Sequence, residues 1–163
     1  MASSCLLAIN LVAGCAHKTS STAQNDDISK PVLGVWAGRI SLKVQSDPPQ
    51  AFFAGFELKG QPDSGELTLI SPLGSILGVL SWTPSSANLQ SAQGVKRADT
   101  VDELLEQATG ASIPTAALFD WLAGKQTMIS SWTADLSQHS AGRIVATRAL
   151  PLPQVELRIV LDR

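Results

Sequence analysis

Alternation of apolar and polar residues with a period of two is the feature that most constrains how this chain can fold. Over residues 39–45, Ile40, Leu42 and Val44 alternate with charged or polar side chains. Much the same alternation returns near the end of the sequence, over residues 155–162. Because successive side chains of a strand point to opposite faces, this pattern predicts strands with one buried face.

The other apolar runs extend this prediction to most of the chain. Further strands are predicted at 52–59, 66–70, 76–82, 88–90, 132–136 and 143–147. Two short helices interrupt them. A capping box from Thr100 to Glu103 opens the first, which Gly110 ends, and the second covers 114–123 before Gly124. The sequence therefore predicts an α+β, mostly β fold with a single curved antiparallel sheet around two helices.

Composition excludes several classes of function. The 163 residues suit one domain, and 12 basic against 14 acidic side chains give no positive surplus for nucleic acid. No phosphate-binding glycine loop or CxxC motif occurs, and the two histidines are too few for most zinc sites, so we expect no cofactor and no metal.

A catalytic set is conceivable at one place only. Asp135, Ser137 and His139 lie within five residues of one another. The stretch has the polarity of a loop between two strands, and carboxylates elsewhere fall on the polar phases of strands, where they are solvated. The sequence therefore favours a protein that is not an enzyme.

The N-terminal residues resemble a bacterial lipoprotein signal peptide. An apolar run from Cys5 ends in Val12-Ala13-Gly14-Cys15, and it is shorter than the roughly eighteen residues that span a bilayer. The alternative is an ordinary apolar N-terminus with two unmodified thiols. On the first interpretation the chain has three parts: a signal peptide over 1–14, a lipidated Cys15 with a flexible tether over 15–32, and a folded domain over 33–163.

An exposed leucine is predicted at the tip of a hairpin. Ser71-Pro72-Leu73-Gly74 has the residues of a type I turn and joins the strands predicted at 66–70 and 76–82. Turn tips normally carry small or polar residues, so the leucine needs an explanation. Either Leu73 folds back onto the sheet as a core residue, or it projects into the surroundings.

The apolar surface of the strands also allows two interpretations. Phe52-Phe53 and Ile76-Leu77 are apolar on both phases of their strands. The sheet is either covered on one face by its helices and on the other by loops or the tether, or it encloses an apolar cavity for a lipidic ligand. Pattern alone does not separate these alternatives.

Five motifs in register resemble the LolB family, the outer-membrane lipoprotein receptors. The resemblance covers about Leu33 to Leu161, and its motifs are Trp36-Ala37-Gly38-Arg39-Ile40, the phenylalanine-rich second strand, Leu69 to Ser75, Ala108-Thr109-Gly110 with Ile113-Pro114, and Leu118 to Gly124. This resemblance implies an incomplete, strongly curved β-barrel of the LolA/LolB type, with short helices over its opening. It also implies a monomeric lipoprotein at the periplasmic face of the outer membrane.

The same resemblance implies a function and its site. Acylated lipoprotein cargo would pass from a LolA-like periplasmic carrier into a hydrophobic cavity and then into outer-membrane lipid. The hairpin tip Pro72-Leu73-Gly74 would help insertion. The alternative is a carrier or sensor of hydrophobic ligands, of LolA-like fold, that inserts nothing. From strand face and family together, the predicted cavity residues are Ile40, Leu42, Phe56, Leu69, Leu118 and Trp121.

Overall fold

The computed structural model describes residues 34–129 and 131–162. The predicted signal peptide over 1–14, Cys15 and the tether up to residue 32 lie outside the described residues. Within the described part, no helix has the length and apolar character needed to cross a membrane.

One antiparallel sheet contains all the strands of the described residues. In chain order they are β1 Gly34–Val44, β2 Gln50–Gln61, β3 Ser64–Ile70, β4 Ile76–Thr83, β5 Ser86–Ser91, β6 Gly94–Ala98, β7 Thr133–Asp135, β8 Arg143–Arg148 and β9 Val155–Leu161. Their spatial order is β6-β5-β4-β3-β2-β1-β9-β8-β7. Because β6 and β7 each pair with one neighbour, the sheet is open, and the mostly β fold with a single antiparallel sheet is confirmed.

The alternation read from the sequence sets which face of the sheet is buried. Ile40 of β1 stands opposite Ile159 of β9, and Leu42 opposite Leu157, so apolar side chains of neighbouring strands share one face. Across the other half of the sheet, Leu67, Leu80 and Leu89 continue the same face through β3, β4 and β5. A one-residue slip in register would turn these side chains to solvent, which fixes the pairing.

Two helices lie against this inner face. They are α1 Val101–Thr109 and α2 Thr115–Leu122. Phe119 of α2 packs edge-on against Trp36 of β1 at 5.4 Å and near Trp82 of β4 at 6.2 Å between ring centroids. Since β1 and β4 are three places apart in the sheet, one side chain reaches both only because the sheet curves around α2.

The predicted ends of α1 are confirmed in detail. The hydroxyl of Thr100 accepts a hydrogen bond from the backbone N–H of Glu103 at 3.2 Å. Gly110 takes a left-handed conformation with φ of 70° and donates its N–H to the carbonyl of Glu106. This is the backbone geometry that glycine adopts without steric cost at a helix C-terminus.

Strand β6 is the strand of the described residues that the sequence prediction missed; a short 3-10 helix over His139–Ala141 was also not predicted. Four of its five residues, Gly94 to Arg97, are exposed, and it pairs only with β5. An edge strand of this kind buries no apolar face, so the period-two signal is absent.

Candidate functional site

A cavity of about 560 Å³ opens at one end of the sheet. This volume falls within the range of about 300 to 1,000 Å³ that is typical of small-molecule sites. The side chains on its walls are mainly apolar, and those from the inner face of the sheet include Leu42, Val44, Phe52, Leu69 and Leu89. Gln50, Ser91, Gln93 and Lys96 add polar groups near the mouth.

The register of the sheet explains why these residues meet. Leu42 is opposite Phe52, and Leu69 is opposite Gly78, so each pair lies near a hairpin connection. In an antiparallel sheet, strands β1, β3 and β5 end where β2, β4 and β6 begin. The cavity therefore lies at the end of the sheet that carries the β1–β2, β3–β4 and β5–β6 connections, which we call the hairpin end.

The last turn of α1 closes one side of the cavity. Ala108 and Thr109 line it from the helix. The hydroxyl of Thr109 donates a hydrogen bond to the carbonyl of Leu105 at 2.7 Å and accepts the N–H of Ala111 at 3.2 Å. These bonds fix the end of the helix beside the mouth.

The six predicted cavity residues are distributed between the cavity and the core. Leu42 and Leu69 line the cavity. Phe56 and Trp121 lie in the hydrophobic core, with Trp121 fully buried and 6.0 Å from the ring of Trp132. Ile40 and Leu118 are partly buried and pack against that core. The other four residues do not line this cavity, because α2 packs against the middle of the inner face.

Sequence reasoning missed the residues that α1 and the β5–β6 hairpin contribute. Ala108, Ser91 and Val95 line the cavity. Their sequence signal is weak, because a small residue in the last turn of a helix and an exposed edge strand are common without any site. The strand register brings Ser91 and Val95 to the cavity, and the packing of α1 brings Ala108 there. Neither can be read from the sequence pattern.

The hairpin tip between β3 and β4 holds Leu73 in the open. Its side chain is 94% exposed, so the alternative in which it folds back onto the sheet is excluded. The N–H of Gly74 donates to the carbonyl of Ser71 at 2.9 Å and closes the turn. The hydroxyl of Ser71 also accepts the N–H groups of Leu73 and Ser75, at 3.3 and 3.1 Å. Gly74 has φ of 84°, a conformation that favours glycine.

Apolar side chains surround the tip at the hairpin end. They belong to the ends of β2, β4 and β6 that lie beside the cavity. The exposed members of this group are Phe52, Phe53, Ile76, Leu77 and Val95. A cluster of exposed apolar groups at a cavity mouth is typical of an interaction site.

The ion pairs among the described residues, Glu156 with Arg158 and with Lys43, lie on the outer face of the sheet. On β9, Arg158 donates two hydrogen bonds to the carboxylate of Glu156, at 2.8 and 2.9 Å, and these lower the pKa of Glu156. The two residues follow the polar phase of the strand. The cavity wall therefore has no share in this ion pair.

Asp135, Ser137 and His139 do not form a relay. The side-chain and backbone groups of Ser137 hydrogen bond to Asp135 and lower the pKa of that carboxyl. The ring Nε2 of His139 pairs with the backbone carbonyl of Leu122 at 3.0 Å. Since the imidazole is bonded to a backbone group, these side chains lack the nucleophile-to-base contact of a catalytic triad.

The family follows from comparison with known proteins. Residues 35–158 match the family model described as outer membrane lipoprotein LolB. The chain belongs to the LolB family. The part of the chain that matches the LolB family model begins in β1 and ends in β9. It includes the cavity, both helices and the Leu73 hairpin.

Individual LolB relatives agree with this assignment. The outer-membrane lipoprotein LolB of Cupriavidus necator is 34% identical over 125 residues, which covers 76% of this chain and 63% of the relative. That of Bordetella petrii is 34% identical over 116 residues, covering 71% and 57%. That of Dechloromonas aromatica is 31% identical over 125 residues, covering 75% and 65%. The chain thus spans less than two thirds of the length of these LolB relatives.

Proposed function

We propose that this protein is an outer-membrane lipoprotein receptor. It accepts acylated lipoproteins from a LolA-like periplasmic carrier into the cavity at the hairpin end and inserts them into outer-membrane lipid. Acylation at Cys15 holds it at the periplasmic face of the outer membrane, where it acts as a monomer. The name of the relatives, outer-membrane lipoprotein LolB, supports the location and the lipid anchor.

One observation supports the proposal above all others. An apolar side chain, Leu73, is 94% exposed at the same end of the sheet as the apolar cavity of about 560 Å³. A binding pocket alone would need no such projection. A leucine held in water beside a lipid-sized cavity is suited to a partner that is itself apolar, and a bilayer is such a partner.

The free energies fit a transfer that needs no catalytic group or nucleotide. Moving a leucine out of water yields about 1.5 to 3 kcal/mol, enough for reversible contact with a bilayer. Removing an acyl chain of about fifteen methylenes from water is worth on the order of 12 kcal/mol. A cavity that keeps the chain out of water removes this barrier, so cargo can move downhill from carrier to receptor to bilayer.

Reconstituted transfer tests the proposal against its alternative. The purified chain is mixed with carrier loaded with an acylated lipoprotein and with liposomes, and cargo is followed in each fraction. A receptor takes cargo from the carrier and leaves it in the liposomes. A carrier or sensor of hydrophobic ligands takes up cargo but leaves the liposome fraction empty, and that result would reject the proposal.

A further inference from the structure

A second apolar projection lies in the connection between β8 and β9. Leu150 is 68% exposed and Leu152 is 72% exposed. The connection, residues 149–154, reads Ala-Leu-Pro-Leu-Pro-Gln and contains no charged residue. Neither leucine belongs to the hydrophobic core or lines the cavity. We call this segment the β8–β9 loop.

Hydrogen bonds from Arg148 and Gln45 hold the backbone of the β8–β9 loop in place. The guanidinium of Arg148, a residue only 6% exposed, donates to the carbonyl of Pro153 at 3.3 Å and to that of Ser112 at 3.4 Å. The N–H of Gln45 donates to the carbonyl of Gln154 at 2.9 Å. Prolines on either side of Leu152 restrict the backbone further. The two leucines are therefore presented by an ordered support, which reduces the entropy lost on binding.

Strand pairing places this loop at the hairpin end. Val155, the first residue of β9, is opposite Val44 of β1 and opposite Arg148 of β8. Val44 itself lines the cavity. The β8–β9 loop thus flanks the β1–β2 connection on one side, and the Leu73 hairpin flanks it on the other. Four strand spacings separate the two tips, about 19 Å along the sheet.

The two ends of the sheet differ in charge. At the hairpin end, residues 71–75 and 149–154 carry no charge, and Asp47 is the acidic residue of the β1–β2 connection. At the opposite end, the turns and strand ends carry acidic and basic residues, namely Asp63, Asp99, Asp135, Asp162, Arg97 and Arg143. Charged side chains of either sign lose hydration on entering hydrocarbon, so the end with the two uncharged tips, the hairpin end, is the one that can approach a bilayer.

We infer that the β8–β9 loop is a second bilayer contact, and that Leu150 and Leu152 together with Leu73 turn the cavity mouth toward the lipid. The inference deepens the proposed function, because it explains how the receptor faces the membrane. A single tip leaves the domain free to tilt about one point. Two apolar tips on opposite sides of the β1–β2 connection restrict that tilt. A continuous lipid surface meets both tips at once without requiring a complementary shape.

Lipid contact is tested with a fluorescent label at defined positions. The full chain, with Cys5 and Cys15 changed to serine, receives a single cysteine as Leu152→Cys, Leu73→Cys or Val35→Cys and an environment-sensitive fluorophore. Val35 is the control, because it is exposed at the start of β1, at the opposite end. With vesicles of phosphatidylethanolamine and phosphatidylglycerol brominated on their acyl chains, we expect quenching at positions 152 and 73 and none at 35.

The outcomes separate this inference from the proposed function. Quenching at 73 without quenching at 152 overturns the inference and leaves the receptor function standing. Quenching at 152 in a protein that fails to deliver cargo supports the inference and rejects the function. A fluorescence change at 152 that requires the carrier protein assigns the loop to carrier docking and overturns the inference.

A second measurement avoids the label. Unlabelled chain carrying Leu150→Ser and Leu152→Ser is floated with the same vesicles, after circular dichroism has shown that its fold is intact. We expect the bound fraction to fall about tenfold or more relative to the unsubstituted chain, since two leucines leave the lipid. Val35→Ser should float like the unsubstituted chain. Equal flotation of the double variant would overturn the inference.

Discussion

The carboxylate of Asp102, in the first turn of α1, accepts hydrogen bonds from both the backbone N–H and the hydroxyl of Thr115, the first residue of α2. The N-terminus of α2 needs this acceptor, because the residue at its cap position, Pro114, makes no side-chain capping bond. One helix thus completes the hydrogen bonding of the other. The bond fixes the position of α1, whose last turn closes the cavity, relative to α2 in the core.

Asp102→Ala should therefore destabilise the domain. It leaves the N–H and hydroxyl of a buried threonine without their acceptor, which costs about 1 to 3 kcal/mol. Urea unfolding followed by tryptophan fluorescence measures the change. Glu106→Ala is the matched control, an exposed carboxylate on the same helix that should shift the free energy of unfolding by less than about 0.5 kcal/mol. Equal shifts for the two variants would show that the contact contributes nothing.

Filling the cavity from the helix side should block ligand uptake without unfolding the protein. Ala108→Trp places an indole in the mouth between α1 and the sheet, so we expect most binding of a fluorescent fatty acid to be lost. Gln107, one residue earlier, does not line the cavity, so Gln107→Trp adds the same side chain outside it and should bind normally. Unchanged affinity in Ala108→Trp would place the ligand elsewhere.

The hairpin tip should depend on glycine at position 74. An added Cβ there would meet nothing within 4 Å, so the cost of Gly74→Ala is the left-handed backbone alone, about 1 to 2 kcal/mol. Gly55→Ala is the comparison, because its Cβ would make an ordinary contact at 3.5 Å and its φ is not positive. Thermal unfolding should show the larger loss for Gly74→Ala. A larger loss at Gly55 would contradict this account of the turn.

The sequence predicted which face of a strand or helix is buried better than it predicted which positions on that face line the cavity. Leu42 and Phe56 were both assigned to the inner face, and both point there, yet only Leu42 reaches the cavity. Which part of the inner face stays open depends on where α2 packs, and that is set by contacts such as Phe119 with Trp36 between distant parts of the chain. The helical period predicts that Trp121 lies on the buried face of α2. It does not predict whether Trp121 borders an open cavity or is packed into the core.

Local chemistry allowed more exact prediction. The Ser71 to Gly74 turn and the Thr100 cap depend on residues within four positions of one another, so their hydrogen bonds could be foreseen. The edge strand β6 could not, because its pairing is its main stabilising interaction and leaves no apolar pattern.

Cargo release by Leu73→Glu is the most direct test of the central claim that this side chain moves cargo into lipid. A glutamate at the tip resists entry into a bilayer but leaves the cavity unchanged, so the variant should accept cargo from the carrier and retain it. Val35→Glu, with the same charge change at the opposite end, should deliver cargo normally. In the reconstituted assay we predict cargo bound to the Leu73→Glu protein and little in liposomes, whereas delivery equal to that of the unsubstituted protein would contradict the claim.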